Sequence, residues 1–489
     1  SVKLHCLIML LLQYWRLYLL TVVLGIGGSF QYGIQVSLIA SPAEHIQCFV
    51  NYTWMWRYGS PVEESANQLI WSFIVAVLSL GAWAGAIHSG SLPVKYGRKK
   101  ALLINNVVAM VAAVLVLFSR TARSFEMILL GRFLYGYNVG MFCFLSMCLL
   151  YILHTTLIIH LLLPRFGSQC APHVPGQDNR HNLLILTLFT LPRELLGTDG
   201  AWPWLLAVSG LPAIFQFSTL LLFPESPRYT YIDKGDTEAC KRALQWLWQE
   251  EDLKLELDDM QKERENAQGQ LAKTVKDVLT SRCVRWQLLT LIIPCAGIQL
   301  CGINALYFYA FDIFLESGVP KSQMHYLTIG LGATELITIL LCSFLIDRAG
   351  RKKLMGYGYL LMGITMAILS VMLYIKDLNP AIPYINICLI FCVISIYGLG
   401  PSGVSMALPA DLFLQAWRPS AYVISGTINW IGMFLVGLSF GYIVDALGQF
   451  CFLIFVVYCF LSAAFLIYFV PETKGKTMVE IMEDFNQLN

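Results

Sequence analysis

Long apolar runs separated by short polar turns recur along nearly the whole chain. A helix needs about 20 mainly apolar residues to cross a hydrocarbon core. Candidates fall near 17–39, 68–88, 101–119, 126–147, 203–223, 287–311, 326–346, 354–375, 382–406, 421–443 and 450–470. A further crossing is expected within 148–197, where the pattern is irregular. Leu4 to Leu12 is apolar but no small-residue cleavage site follows it, so it reads as a lead-in to the first span. The largest hydrophilic segment, 225–285, divides the runs into two groups, the second of six. The pattern therefore predicts an all-α membrane protein with 12 transmembrane helices in two six-helix halves, 1–224 and 286–473, and a tail at 474–489. Between the halves, Ala243, Leu244, Leu247 and Trp248 recur at helical spacing among charges, predicting amphipathic linker helices.

Two punctuation marks repeat in the same order. "GRKK" occurs at 97–100 and 350–353, and Pro-Glu at 224–225 in "FPESPRY" and 471–472 in "VPETKGK". The offsets, 350 − 97 = 253 and 471 − 224 = 247, nearly agree, as expected of a parallel internal repeat. Glycine suits the tight turn between two spans, and the basic residues anchor it at one membrane face. Glu225 and Glu472 end the sixth span of each half, where a carboxylate can meet basic side chains from other helix ends. Arg98, Arg132, Arg228, Arg348, Arg351 and Arg418 are the candidate partners, with Asp347 placed to pair with Arg348 or Arg351. Such ion pairs would hold one conformation closed and break when it opens.

Charge then orients the spans. Lys and Arg number 24 over the N-terminus, the 95–100 turn, 225–285, the 347–353 turn, Arg418 and the tail, against five in the alternate loops. The excess marks the cytoplasmic side, with both termini inside. The acceptor Asn51-Tyr52-Thr53 then lies outside, where it could carry a glycan. Only 13% of residues are charged, about half the usual share of a soluble domain. A net charge of +2 excludes a strongly basic nucleic-acid binder. No metal-ligand spacing, phosphate loop or nucleophile elbow occurs, so neither a cofactor nor an enzyme is expected.

"PESPRY", "PETKGKT", "DRAGRKK", "LCGIN", "GTINW" and "RPSA" together resemble the facilitative hexose transporters, the sugar-porter branch of the major facilitator superfamily. The resemblance covers roughly 15–147 and 193–489, and "ELLGTDGAWPWLLAVSGLPA" is most similar to the fructose-transporter-like class. It implies uncoupled transport of a sugar by alternating access in the plasma membrane, with membrane lipid as the other partner. A sugar carries many hydroxyls and no charge, so its site should offer amides and aromatic ring faces. The resemblance implies Gln299, Asn304, Asn429 and Trp430; Tyr307 and Tyr309, which follow in the same span, and Gln31, Tyr32 and Gln35 in the first span are further candidates by residue type. Gln299 and Asn304 stand about 140° apart on a regular helix. Sharing a ligand needs a bend, which Gly302 permits.

Departures from the family pattern matter as well. Ile298 stands where a second Gln is usual, Glu335 where span eight usually has Asn, Met406 where glucose-preferring members have Trp, and Val94 where an Asp is common. Glu335 could bind substrate as a hydrogen-bond donor, tune electrostatics or couple protons; the first span, 17–43, holds no acid of the kind that proton-coupled sugar porters carry. Tyr151 to Leu195 lacks the family's fifth-span Gln, and reads either as a divergent span or as an altered segment. Besides hexose uniport, the sequence leaves open another small polar solute such as urate, proton symport, and a non-transporting copy.

Overall fold

The computed structural model describes the chain except residues 1–14, 38, 40–41, 90–91, 143–199, 228, 249–256, 259, 262–273, 309–323, 376–377, 380, 406–407, 414–416, 475, 477 and 487–489. The irregular stretch at 148–197 lies outside the described residues. Among those described, nine helical segments are long and apolar enough to cross a membrane.

The first span is built from α1 (Trp15–Gly25), a π-helical turn (Ile26–Phe30) and α2 (Gln31–Ser37). α3 (Ala43–Tyr58) leads to α4 (Glu64–His88) and, past the first GRKK turn, α5 (Arg98–Phe118). α6 covers 126–142. The sixth span is α7 (Trp202–Ala207) and α8 (Gly210–Leu220), interrupted just before Pro212, where a proline cannot continue the hydrogen-bond ladder. α4 and α6 touch backbone to backbone. A Cβ built on Gly81 would lie 2.0 Å from the Phe133 carbonyl oxygen, and one on Gly140 1.8 Å from that of Ala82.

In the linker, α9 (Thr237–Trp248) is amphipathic as predicted, burying Ala243, Leu244 and Leu247. Leu244 and Leu247 join a core cluster with Leu20, Leu24 and Leu102. The Arg16 guanidinium sits 4.7 Å over the Trp246 ring and donates to the Trp246 carbonyl at 2.8 Å, pinning α9 beneath the first span. α10 (Val275–Thr280) instead places Val278 in the core of the second half.

The second half begins with α11 (Arg285–Leu300) and α12 (Ile303–Phe308), two parts of one span. α13 (Met324–Ala349), α14 (Arg351–Tyr374), α15 (Ile382–Tyr397), α16 (Arg418–Leu447) and α17 (Phe452–Phe469) follow. α18 (Met478–Asn486) buries Ile481 and Phe485 in the same core cluster. The large cores stay within one half or the other. A small cluster joins them, where Ala82, Ala86 and Val139 meet Trp430 and Met433.

Candidate substrate site

The site begins at a break in the seventh span. Gly302 lies between α11 and α12 with φ +83°, a left-handed conformation that side chains rarely adopt. Phe455 of α17 leaves no room for a Cβ there, the nearest ring atom being 2.5 Å from where one would sit. The break redirects the helix so that Asn304 meets Gln299 despite their unfavourable regular spacing. Asn304 Nδ2 donates to Gln299 Oε1, and Gln299 Nε2 donates to Asn429 Oδ1 of α16 at 2.6 Å. Three amides thus form one chain across spans seven and eleven. Whichever way the amides are turned, such a chain ends in one free donor and one free acceptor.

Tyr307 and Glu335 form a second polar pair. The Tyr307 hydroxyl donates to Glu335 Oε2, with Glu335 buried on α13. The two are therefore partners of each other, and the tyrosine proton is already committed. Tyr307 was expected as a ligand group by residue type; the geometry brings Glu335 to it as its acceptor.

On the first span, Tyr32 and the glutamines occupy different faces. Tyr32 packs edge-on against Trp430 with ring centroids 5.8 Å apart, and its hydroxyl lies 3.8 Å from Met433 Sδ. Gln35 instead donates to Ser209 Oγ within the first half. Gln31 is fully buried, and its amide has no hydrogen-bond partner among the described residues.

The repeated marks resolve into two matching helix caps. Glu225 accepts from the Lys99 backbone N–H at 2.7 Å, in the first turn of α5. Glu472 accepts from the backbone N–H groups of Arg351 at 3.0 Å and Lys352 at 3.4 Å, in the first turn of α14. A carboxylate suits this position because the first amides of a helix lack internal partners and the helix dipole is positive there. Gly97 (φ 96°) and Gly350 (φ 91°) precede these helices. A Cβ on either would lie 2.7 Å or 2.6 Å from the facing carboxylate oxygen. The described contacts of both expected ion-pair glutamates are thus with backbone N–H groups of their own half.

The expected basic partners disperse accordingly. Among the described residues, Arg98, Arg348 and Arg418 make no ion pair; Arg418 donates to the Phe413 carbonyl at 2.8 Å. Arg351 pairs with Asp411 at 3.2 Å, an acid that the repeat pattern did not single out because its counterpart lies on another span. Arg132 does not belong with this group. It is buried near the start of α6, at the end opposite the GRKK turn, and donates to the carbonyls of Ile74 at 2.7 Å and Gln35 at 3.4 Å. Asn51 accepts from the Val62 N–H at 3.1 Å. Tyr309 and Arg228 lie outside the described residues, as does the side chain of Asp347.

Comparison with known proteins agrees with this architecture. The sequence matches the sugar (and other) transporter family over residues 20–152 and 185–485, leaving much of the irregular stretch outside the match. Human "Solute carrier family 2, facilitated glucose transporter member 11" is 38% identical over 482 residues, covering 97% of this chain and 94% of the relative. Human "Solute carrier family 2, facilitated glucose transporter member 5" is 36% identical over 483 residues, covering 97% and 92%. The solved structure of the major facilitator superfamily proton:xylose symporter XylE superposes with a TM-score of 0.72 at 21% identity, covering 97% of this chain and 99% of that one. An inward-open structure of XylE from E. coli gives a TM-score of 0.71 at 20% identity, covering 96% and 99%, so the fold is shared.

Proposed function

Because the chain belongs to the sugar (and other) transporter family, we propose that it carries a hexose such as fructose or glucose across the plasma membrane by facilitated diffusion. The observation that carries this reading is the amide chain Asn304–Gln299–Asn429 at a helix break beside the contact between the halves. An uncharged polyol needs paired donors and acceptors, and the chain ends in one of each. Trp430 and Tyr32 supply the aromatic surface that suits a sugar ring face. Gln31 contributes a further amide from the first half, and Tyr309 a further aromatic group. Rocking of 1–224 against 286–473 about this site exposes it alternately to each side. The segment 225–285 and the tail 474–489 lie in the cytoplasm with both termini, and Asn51 carries a glycan outside.

The solute gradient drives the cycle. Glu335 is bound to Tyr307, which favours a structural role for it over proton exchange with solvent. The decisive measurement is labelled fructose and glucose uptake by proteoliposomes containing the purified chain. Saturable uptake that survives collapse of the proton gradient supports the proposal. Uptake lost with the gradient supports a symporter, the second reading, for which the buried Glu335 is the coupling acid. Uptake displaced by urate but not by hexoses would assign another solute, and no uptake at all would mean a non-transporting chain.

A further inference from the structure

We propose that Gly432 is a positioning residue for the sugar site: its missing side chain is the space that lets Gln299 reach Asn429. Gly432 lies three residues after Asn429 on α16, so both occupy the same helix face. A Cβ added to Gly432 would stand 2.9 Å from Gln299 Cγ and 3.0 Å from Gln299 Cβ. That is too close for two carbons in ordinary contact, for which separations of about 3.5–4.0 Å are optimal. The nearest obstacle is thus the stem of the one side chain that links Asn304 to Asn429.

Neither span is free to retreat. On the adjacent face of α16, Trp430 and Met433 are buried against Tyr32 of the first span. On the other side, the seventh span is fixed by three contacts. Gly302 lies under Phe455. Tyr458 donates to the Ile293 carbonyl at 3.0 Å, and Tyr359 to the Pro294 carbonyl at 3.0 Å. An added methyl is therefore absorbed by Gln299 Cγ rotating away, with a few tenths of an ångström of give at Gln299 Cβ, and the rotation breaks the 2.6 Å bond to Asn429. The chain then loses its ends in register, while the scaffold around it persists. Gly426, six residues earlier on α16 (432 − 426), provides the control, because a Cβ there meets only Ala86 Cβ at 4.0 Å.

The inference rests on the sugar-site reading for its transport arm and stands without it in a second arm. In proteoliposomes, Gly432→Ala raises KM for the transported hexose by about fivefold or more while maximal rate stays within about twofold. Gly426→Ala leaves both unchanged. Unaltered KM in Gly432→Ala, or an equal change in Gly426→Ala, overturns the proposal. The ligand-free arm measures thermal unfolding in detergent. Gly432→Ala lowers Tm relative to its own background in the native chain but not in a Gln299→Gly chain, where both obstructing carbons are gone. If the single variant fails to fold, recovery of folded protein in the double variant supports the proposal. An equal Tm loss in both backgrounds, or no recovery, overturns it. A native chain that transports no hexose would defeat the sugar reading alone and leave the Tm comparison to decide the role of Gly432.

Discussion

Gln299 is committed at both ends of its amide, so each of its neighbours holds the others in place. Asn429→Ala removes one link and leaves the buried Gln299 donor without its acceptor. Losses of this kind are about 1–3 kcal/mol. We expect the hexose KM to rise roughly tenfold, since 1.4 kcal/mol is a factor of ten; concentration-dependent uptake would show it, and an unchanged KM would remove the amide chain from the site. Glu335 offers a contrast. Glu335→Gln keeps an acceptor for Tyr307 and should retain uptake, whereas Glu335→Leu strands a buried hydroxyl and lowers Tm. Loss of all uptake in Glu335→Gln would show that ionisation matters. At this scale the sequence was partly readable. The polar types and Gly302 as a bend site were visible in "GIQLCGIN". Gly432 was not, because the obstacle that demands a glycine there comes from Gln299, 133 residues away (432 − 299), and spacing along the chain carries no trace of it.

At the level of elements, the repeat was legible as punctuation but not as chemistry. GRKK and Pro-Glu could be paired by offset alone, yet their side chains suggested ion pairs. The described carboxylate contacts are with the lysine and arginine backbones, because a helix beginning at a tight glycine turn presents bare N–H groups to whatever carboxylate ends the sixth span. Symmetry then predicts matching phenotypes. Glu225→Ala and Glu472→Ala should each cost about 0.5–2 kcal/mol, the range of a lost helix cap, seen as lowered Tm in detergent. Gly97→Ala and Gly350→Ala should cost more, since strain at positive φ adds to collision with the carboxylate. Alanine at the glycines proving no worse than alanine at the glutamates would refute the close fit. The span boundaries came through well where apolar runs were clean, as in α14 and α17. The interruption of the sixth span did not, because hydropathy averages over Val208 and Ser209.

Across the whole molecule, the two-half plan was readable from the apolar runs and the charge bias, which report bulk properties of the bilayer, and from the paired marks, which report the repeat by offset alone. What the halves do to each other was not readable, because it depends on which faces of distant spans meet. Spans two and eleven lie together, with Phe73 and Phe434 edge-on at 6.3 Å between ring centroids and the Tyr32–Trp430 pair deeper in. If transport requires the halves to rock, this contact has to open during each cycle. A covalent tie there should therefore stop turnover without disturbing the fold. Cysteines placed at Phe73 and Phe434 together, and oxidised in proteoliposomes, are expected to abolish hexose uptake reversibly. Reductant restores it, and each single substitution remains active. The tie also separates the site from the motion: the oxidised double variant should still bind the sugar while moving none of it. Undiminished uptake in the fully cross-linked protein would mean that spans two and eleven stay together throughout the cycle, and that the moving boundary lies elsewhere.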